Sequence, residues 1–454
     1  MTYYVDPFGC VKNQVDAENM MALLDKSGWA AAEDAVLADL IIINSCGFIE
    51  SAKQESINAV LNWRKLYPGK KILLAGCLSQ RYAKDLAASL PEADGFFGNS
   101  DLSGIVQAAA LAAGKAVKKK GSAANILSDT GKRPLLSLPG SAYVKISEGC
   151  DNRCSYCAIP LIRGGLRSRA VSDITEECKI LLDRGIKELC LVGQDTGSYG
   201  RDFAAAGKGI TGLLEALSRL KGEFRVRLLY VHPDHFPFPV LDIMESDNRF
   251  IPYFDIPLQH ASEKILQLMN RRGNAAAYLE LIEILRRRFP DAAIRSTFMT
   301  GFPGETEEDF QTLLDFQKKA RLDWLGCFAY SREEDTQAWN MKGRVAKKTA
   351  AERKRLIEEC QIPITEKQMD RFIGRTFDVL VEEEFEPPLT DLDSSSGEET
   401  LYLGRLPCQA PEVDGAAVIT SPRPLERGAL VPCRVFARAG FDLQVQPLRE
   451  TAVK

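Results

Sequence analysis

Little in the 454-residue chain pulls it toward a membrane, a nucleic acid or an export route. Its apolar runs, such as Leu40 to Ile43, fall far short of the ~20 residues that a bilayer crossing needs, so no membrane span is expected. The opening residues Met1-Thr2-Tyr3-Tyr4-Val5-Asp6 carry neither a basic nor an apolar leader region, and a cytoplasmic chain is expected. Net charge is only −4, which supplies no global attraction to nucleic acid or anionic lipid. Histidine is scarce: His232, His235 and His260 are the three, and nothing in their setting marks one as a ligand. No general acid–base pair stands out, and no repeat of 20–50 residues is evident. An apolar fraction of 45% with 26% charged residues excludes a disordered or collagenous chain. The length implies two or three domains.

Cysteine is plentiful by contrast. Twelve cysteines in a reducing compartment are not expected to form disulfides. Six of them, Cys178, Cys190, Cys327, Cys360, Cys408 and Cys433, read as small buried hydrophobes, several in apolar contexts such as Leu189-Cys190-Leu191-Val192. The other six fall into two sets.

Residues 1–115 alternate strand and helix patterns, as a doubly wound parallel sheet does. Strands are expected at Thr2 to Val5, Leu40 to Asn44 and Lys71 to Ala75, with helical patterns over Val15 to Lys26, Ile49 to Leu66 and Ser79 to Leu90. Cys10, Cys46 and Cys77 each fall just past one of these strands. Ligands of open α/β sheets bind outside the carboxyl ends of the strands, so the three cysteines can converge on one point. Residues 116–140, rich in Lys, Gly, Ser, Pro and Ala and including Lys118-Lys119-Lys120, read as an exposed linker.

Residues 141–370 hold six strand-then-helix units followed by a charged helix, Lys347 to Asp370, which predicts a partial (β/α)6 barrel with its site at the strands' C-terminal face. Residues 371–442 carry short strands and turns, the pattern of a small β-barrel, with Asp391 to Glu399 as a low-complexity hairpin loop.

The second set lies in the loop after the first barrel strand. Cys150, Cys154 and Cys157 stand at C-x-x-x-C-x-x-C spacing, which can hold three corners of a four-iron four-sulfur cluster and leave one iron open. A zinc site would want four ligands, usually as two knuckles, and there is no second knuckle.

This spacing, with Tyr156 just before the third cysteine, resembles the radical S-adenosylmethionine superfamily. Gly9-Cys10-Val11-Lys12-Asn13, Asn44-Ser45-Cys46-Gly47-Phe48-Ile49 and Gly76-Cys77-Leu78-Ser79-Gln80-Arg81-Tyr82 resemble the three cysteine signatures of its methylthiotransferase family. Gly301-Phe302-Pro303-Gly304-Glu305-Thr306 resembles that family's barrel motif, and the last ~70 residues its TRAM domain. The resemblance spans nearly the whole chain. It implies two four-iron four-sulfur clusters, one on Cys10, Cys46 and Cys77 and one on Cys150, Cys154 and Cys157, the latter also chelating S-adenosylmethionine. One S-adenosylmethionine would donate its methyl to sulfur held at the first cluster. A second would be cleaved at the second cluster to a radical that abstracts hydrogen from substrate. Tyr156, Gln194, Arg295 and Gly301 are candidate contacts to S-adenosylmethionine.

Gln194-Asp195-Thr196-Gly197-Ser198-Tyr199-Gly200 and Tyr253-Phe254-Asp255-Ile256-Pro257-Leu258-Gln259-His260 resemble the branch that modifies the β-carbon of an aspartate in a small-subunit ribosomal protein. Val231-His232-Pro233 departs toward the branch that methylthiolates isopentenyl- or threonylcarbamoyl-adenosine in tRNA, the main alternative. A non-catalytic iron–sulfur protein that binds RNA is a more distant one. Between Arg371 and Asp442 there are 7 Lys plus Arg against 13 Asp plus Glu. An RNA-binding module is expected to be basic, whereas an acidic one suits a basic ribosomal protein. The partners implied are that protein, an electron donor such as flavodoxin or ferredoxin, and a sulfur source, with no membrane.

Overall fold

The computed structural model describes residues 1–115, 131–204, 209–385 and 400–448. The chain begins as a five-stranded parallel sheet of β1 (Thr2–Pro7), β2 (Ala30–Ala31), β3 (Leu40–Ser45), β4 (Lys71–Gly76) and β5 (Gly95–Phe97), in the order β2-β1-β3-β4-β5. The Leu40 to Ile43 run is apolar throughout because both faces of β3 are covered. Leu40 and Ile42 pack under α1 (Val11–Lys26) and α4 (Ile105–Ala112). Ile41 and Ile43 pack under α2 (Glu50–Leu66) and α3 (Cys77–Ser89). The short strands β2 and β5 were not expected. Both sit at sheet edges and are too short to show a period.

The barrel strands are β6 (Ser141–Lys145), β9 (Glu188–Val192), β10 (Arg225–Leu228), β11 (Tyr253–Asp255), β12 (Ala293–Thr300) and β13 (Trp324–Ala329), with a two-stranded ribbon of β7 (Ser147–Glu148) and β8 (Arg167–Ser168) beside the first. They form two three-stranded parallel sheets, β10-β9-β6 and β11-β12-β13, joined by a bridge between Val226 and Phe250. The six expected units are all present. Their outward faces, Val144, Leu189, Leu191, Val226, Phe254 and Ile294 among them, bury against the helices. Their inward faces, including Tyr143, Cys190, Val192, Leu229, Tyr253 and Trp324, are closed by Val11 and Val15 of α1 and by the C-terminal module. An open barrel exposes one wall, and here two other domains cover it. The last helix, α7 (Lys347–Asp370), runs on to that module.

The module is a closed five-stranded barrel of β14 (Thr376–Phe385), β15 (Thr400–Arg405), β16 (Ala417–Ser421), β17 (Leu430–Ala439) and β18 (Asp442–Pro447), ordered β14-β15-β16-β18-β17. β18 carries the module past residue 442, where the sequence pattern ends it; the Ala439-Gly440-Phe441 turn hides a fifth strand that closes the barrel by pairing parallel to β16. Buried Glu188 takes both Arg227 at 3.0 Å and Arg405 at 2.8 Å, and Arg405 also holds Glu382 at 2.7 Å. Glu382 is therefore an interface residue, while its neighbours Glu383 and Glu384 remain exposed.

Of the expected linker, 116–130 lies outside the described residues, as does the 391–399 loop. The stretch from Gly131 is not an exposed linker. Arg133 is fully buried between Glu18 of α1, at 2.8 Å, and Glu177 of α6 (Val171–Asp183), at 2.5 Å. A basic side chain in a polar stretch reads as solvated until a distant pair of acids buries it. Of the six cysteines expected to be buried, five are; Cys360 is partly exposed. Among the described residues, no helix is long and apolar enough to cross a membrane.

Candidate functional site

All three N-terminal cysteines occupy the carboxyl ends of parallel strands. Cys10 caps α1 after β1, Cys46 follows β3, and Cys77 opens α3 directly after β4. Their approach is enforced by glycine. Gly9 adopts φ +90°, and a Cβ there would lie 3.1 Å from the Cβ of Cys46. A Cβ on Gly47 would lie 2.8 Å from the Cys77 carbonyl. Burial, reinforced by the neighbouring Cys10 and Cys77, pushes the Cys46 thiol up to about 12. Burial likewise raises Cys77. Protein crowding would raise Cys10 too, but Lys12, Arg163 and two backbone N–H groups outweigh it and lower that thiol.

Asn13 ties the group together. Its Nδ2 donates to the Ser45 carbonyl at 2.8 Å, and its Oδ1 accepts from the Cys77 thiol at 3.1 Å. Asn99 Nδ2 donates to Cys77 Sγ at 3.2 Å. The third neighbour of Cys77 comes from another domain. Arg163 ends the short helix α5 (Ile159–Arg163), six residues after Cys157, and its Nη2 lies 3.2 Å from Cys77 Sγ. Cys77 also packs against Ala158 and Ile162 of the same segment. One cysteine set thus packs against the segment that follows the other.

The second set lies in the loop between β7 and α5. Burial pushes Cys150 and Cys157 each up to about 12. The loop is fixed from four directions. Asn152 Nδ2 donates to Asp195 Oδ2 at 2.8 Å, and the Cys150 N–H donates to the Gly164 carbonyl at 3.1 Å. Ser155 is bonded to the Met269 and Leu268 carbonyls. Tyr156 sets its ring edge-on to Phe302, 6.4 Å between centroids. Cys154 is flanked by His232 Nε2 at 3.8 Å and by Arg271 Nη1 at 3.9 Å. Burial and then Arg271 push His232 down to about 3, so it stands neutral beside the thiol. Burial alone would raise Asp195, but hydrogen bonds from His235, Ser198 and Asn152 hold it well below the usual carboxylate range.

A four-iron cluster spreads its thiolate ligands over separate irons. The N–H groups of Arg163 and Asn99 at Cys77, and of Ile159 at Cys157 (3.4 Å), are the donors that a buried anionic sulfur requires.

The candidate nucleoside and methionine contacts divide. Tyr156 and Gly301 meet: Phe302, next to Gly301, carries the Tyr156 ring, while the Gly301 N–H donates to Glu305 Oε2 at 2.7 Å. Gln194 lies near Glu148, at 3.5 Å, with its carbonyl oxygen buried and unpartnered, available to a bound group. Arg295 is drawn elsewhere. It pairs with Asp255 at 3.1 Å, approaches Asp414 of the C-terminal barrel at 3.6 Å, and lines a cleft of about 640 Å³ toward that module. Sequence reading missed Asn13 and Arg163 as site residues. Asn13 stood inside a quoted motif. Arg163 gave no signal, because its partners Asp16, Asn13 and Cys77 lie more than 80 residues away.

The Gly301 turn also carries a pH-sensitive group. His260 is fully buried, accepts the Ser262 N–H at Nδ1 (3.0 Å) and has its Nε2 3.8 Å from Glu305. Burial foremost, opposed by Asp309 and aided by Arg353 and Lys264, pushes it down to about 3. Below its unfolded value of about 6.5 the unfolded chain binds a proton that the folded chain refuses. Its stabilising effect is therefore complete above pH 6.5 and lost as pH falls toward 3. From pH 6.5 to 5 the expected loss is about 1.5 kcal/mol. His260→Gln should flatten that part of the pH profile in urea unfolding; an unchanged slope would assign the sensitivity elsewhere.

Three family models match separate stretches of the chain. Residues 2–98 match the uncharacterized protein family UPF0004, 144–316 the Radical SAM superfamily and 373–447 the TRAM domain. The ribosomal protein uS12 methylthiotransferase RimO of Treponema denticola is 46% identical, covering 97% of this chain and 99% of that protein. The protein of the same description from Syntrophomonas wolfei is 40% identical over 96% and 97%. In fold, the radical S-adenosylmethionine methyltransferase TsrM of Kitasatospora setae superposes with a TM-score of 0.54 at 13% identity, covering 74% of this chain and 73% of that one.

Proposed function

The chain belongs to the family of ribosomal protein uS12 methylthiotransferases called RimO, and from that premise we propose that it adds a methylthio group to the β-carbon of an aspartate in uS12. It is a radical S-adenosylmethionine enzyme with two four-iron four-sulfur clusters. When bound, the clusters and S-adenosylmethionine supply the sulfur, the methyl group and the hydrogen-abstracting radical. Cys10, Cys46 and Cys77 are assigned to the first cluster, and Cys150, Cys154 and Cys157 to the second. The observation that carries the assignment is the contact of Cys77 with Ala158, Ile162 and Arg163, which sets one cysteine triplet against the segment that follows the other.

The protein's own residues position and shield. Asn99 directs a donor at Cys77 and Asn13 accepts from its thiol, while Arg271 and neutral His232 border Cys154. Tyr156 on Phe302 supports the cysteine loop from below, and Gln194 offers its free carbonyl near Glu148. The acidic C-terminal barrel favours a basic ribosomal protein over RNA as the docking partner. An electron donor of the flavodoxin or ferredoxin type, a sulfur source and a cytoplasmic setting complete the reading.

Mass spectrometry of small-subunit ribosomal proteins and tRNA nucleosides, from cells with and without the gene, tests it. A methylthio mass lost from uS12 alone is expected. Loss from a tRNA adenosine instead would overturn the substrate and leave the cluster assignments standing.

A further inference from the structure

Among the described residues, charges buried where the N-terminal domain meets the barrel are neutralised by ion pairs, with one exception. Lys145 pairs with Asp16 and Glu148, Arg163 with the same two acids, and Arg133 with Glu18 and Glu177. Lys12 is 8% exposed, and among the described residues its ammonium makes no ion pair and no hydrogen bond. Its close partner is the face of Tyr230, with Nζ 3.4 Å from the ring centroid. The nearby carboxylate of Asp255 is already engaged, by Arg295 at 3.1 Å and by the Tyr230 N–H at 3.1 Å.

The position of this pair matters. Lys12 lies in the first turn of α1, two residues past Cys10, and Tyr230 lies two residues past β10 on the carboxyl side of the partial barrel. Tyr230 holds φ +61°, a left-handed conformation that costs a non-glycine residue energy and persists where surrounding structure over-determines it. Its carbonyl accepts the Thr196 N–H at 3.0 Å, which holds its backbone in place. Besides that π-face, Lys12 has the Cys10 thiol, two residues away, which it lowers, but no carboxylate of its own. A buried ammonium without a carboxylate partner is placed to receive one. Cys77 already has Arg163 and Asn99 as donors, so it does not need Lys12.

We propose that Lys12 is a specificity-determining residue that receives the side-chain carboxylate of the substrate aspartate, with Tyr230 holding the ammonium in position. The modified carbon is bonded directly to that carboxyl group, so fixing the carboxylate fixes the reacting C–H between the two cysteine sets. The proposal rests on the uS12 aspartate reading above.

The test uses the full-length enzyme carrying both clusters, with uS12 and its Asp→Asn variant at the target position as probes, the amide being the same shape without charge. Binding constants and kcat/KM are measured for wild type, Lys12→Met, Lys12→Arg and Tyr230→Leu, together with the electron paramagnetic resonance spectrum of the N-terminal cluster. Wild type is expected to prefer aspartate over asparagine by at least tenfold, on the order of a hundredfold in kcat/KM. Lys12→Met should bring that ratio to about one, whatever shift the loss of a charge beside Cys10 makes in the N-terminal cluster spectrum, Lys12→Arg should keep part of it, and Tyr230→Leu should reduce it. A ratio that survives in Lys12→Met, or a changed cluster spectrum with the preference intact, would overturn the proposal and make Lys12 a counter-ion of the cluster. Failure of the wild type to bind or modify uS12 at all would instead overturn the substrate reading, and this proposal with it.

Discussion

Cys154→Ala is expected to abolish formation of 5′-deoxyadenosine from S-adenosylmethionine, by at least a thousandfold, while the iron held on Cys10, Cys46 and Cys77 remains. Iron per chain should fall from about eight to about four. The loop that carries Cys154 does not depend on the thiol. Asn152 is held by Asp195, Ser155 by the Met269 and Leu268 carbonyls, and Tyr156 by Phe302. Loss of one partly exposed sulfur therefore costs on the order of 1 kcal/mol, too little to unfold a domain of this size. The nearest replacement ligand is His232, neutral and 3.8 Å from the lost sulfur, so a weak residual cluster is the one route to leftover activity. The double variant Cys154→Ala/His232→Ala removes it. Deoxyadenosine is measured by chromatography after reduction with dithionite, and iron by colorimetric assay. Continued cleavage in the double variant would show that the radical chemistry is held elsewhere.

How much of this site was legible depends on how far its parts lie apart in the chain. Cys150, Cys154 and Cys157 are one loop, so their spacing states their chemistry. Cys10, Cys46 and Cys77 are scattered, but each follows a readable strand, and parallel topology brings strand ends together whatever the connections between them. The residues that bind the two sets into one site had no such address. Arg163 finds Asp16 and Asn13, Tyr230 finds Lys12, and Arg133 finds Glu18, all across domain boundaries that no local period records. Arg295 shows the converse. A polar residue on a barrel strand suggests a ligand contact, yet its place near the start of β12 delivers it to Asp255 and Asp414 instead. Strand ends behaved likewise: the Tyr253 to Leu258 stretch reads as one strand, yet β11 stops at Asp255 and Gln259 takes φ +69°. An apolar run does not register where its backbone leaves the sheet.

Arg163→Met should have the largest effect on stability, with a separate signature in the first cluster. Arg163 lies buried with Asp16 at 3.0 Å, Glu148 at 2.7 Å and Cys77 Sγ at 3.2 Å, so its removal leaves buried Asp16 and half-buried Glu148 facing one remaining cation, Lys145. Breaking a buried pair from one side costs about 3–5 kcal/mol, because the stranded charge has lost its water as well as its partner. Lys145 should hold the loss toward the lower end. Burial would raise Glu148, but Lys145 and Arg163 together bring it to about 2. That stability is present above its unfolded value of about 4.5 and lost as pH falls toward 2, so the variant should also unfold at higher pH on the acid side. Asp16→Asn in the same chain should recover part of the loss, since it removes a carboxylate that Arg163 no longer serves. Methionine also deprives Cys77 of an N–H donor, and weaker hydrogen bonding to cluster sulfur should move the N-terminal cluster to a more negative potential. Arg163→Lys should keep much of the stability, because charge survives, while disturbing the potential, because the fork that reaches Cys77 does not. Urea unfolding and redox titration of the two variants separate these roles. If Arg163→Met were as stable as wild type, the interdomain charge cluster would not be what holds one cysteine set against the segment that follows the other. Their alignment would then rest on the apolar contact of Cys77 with Ala158 and Ile162 alone.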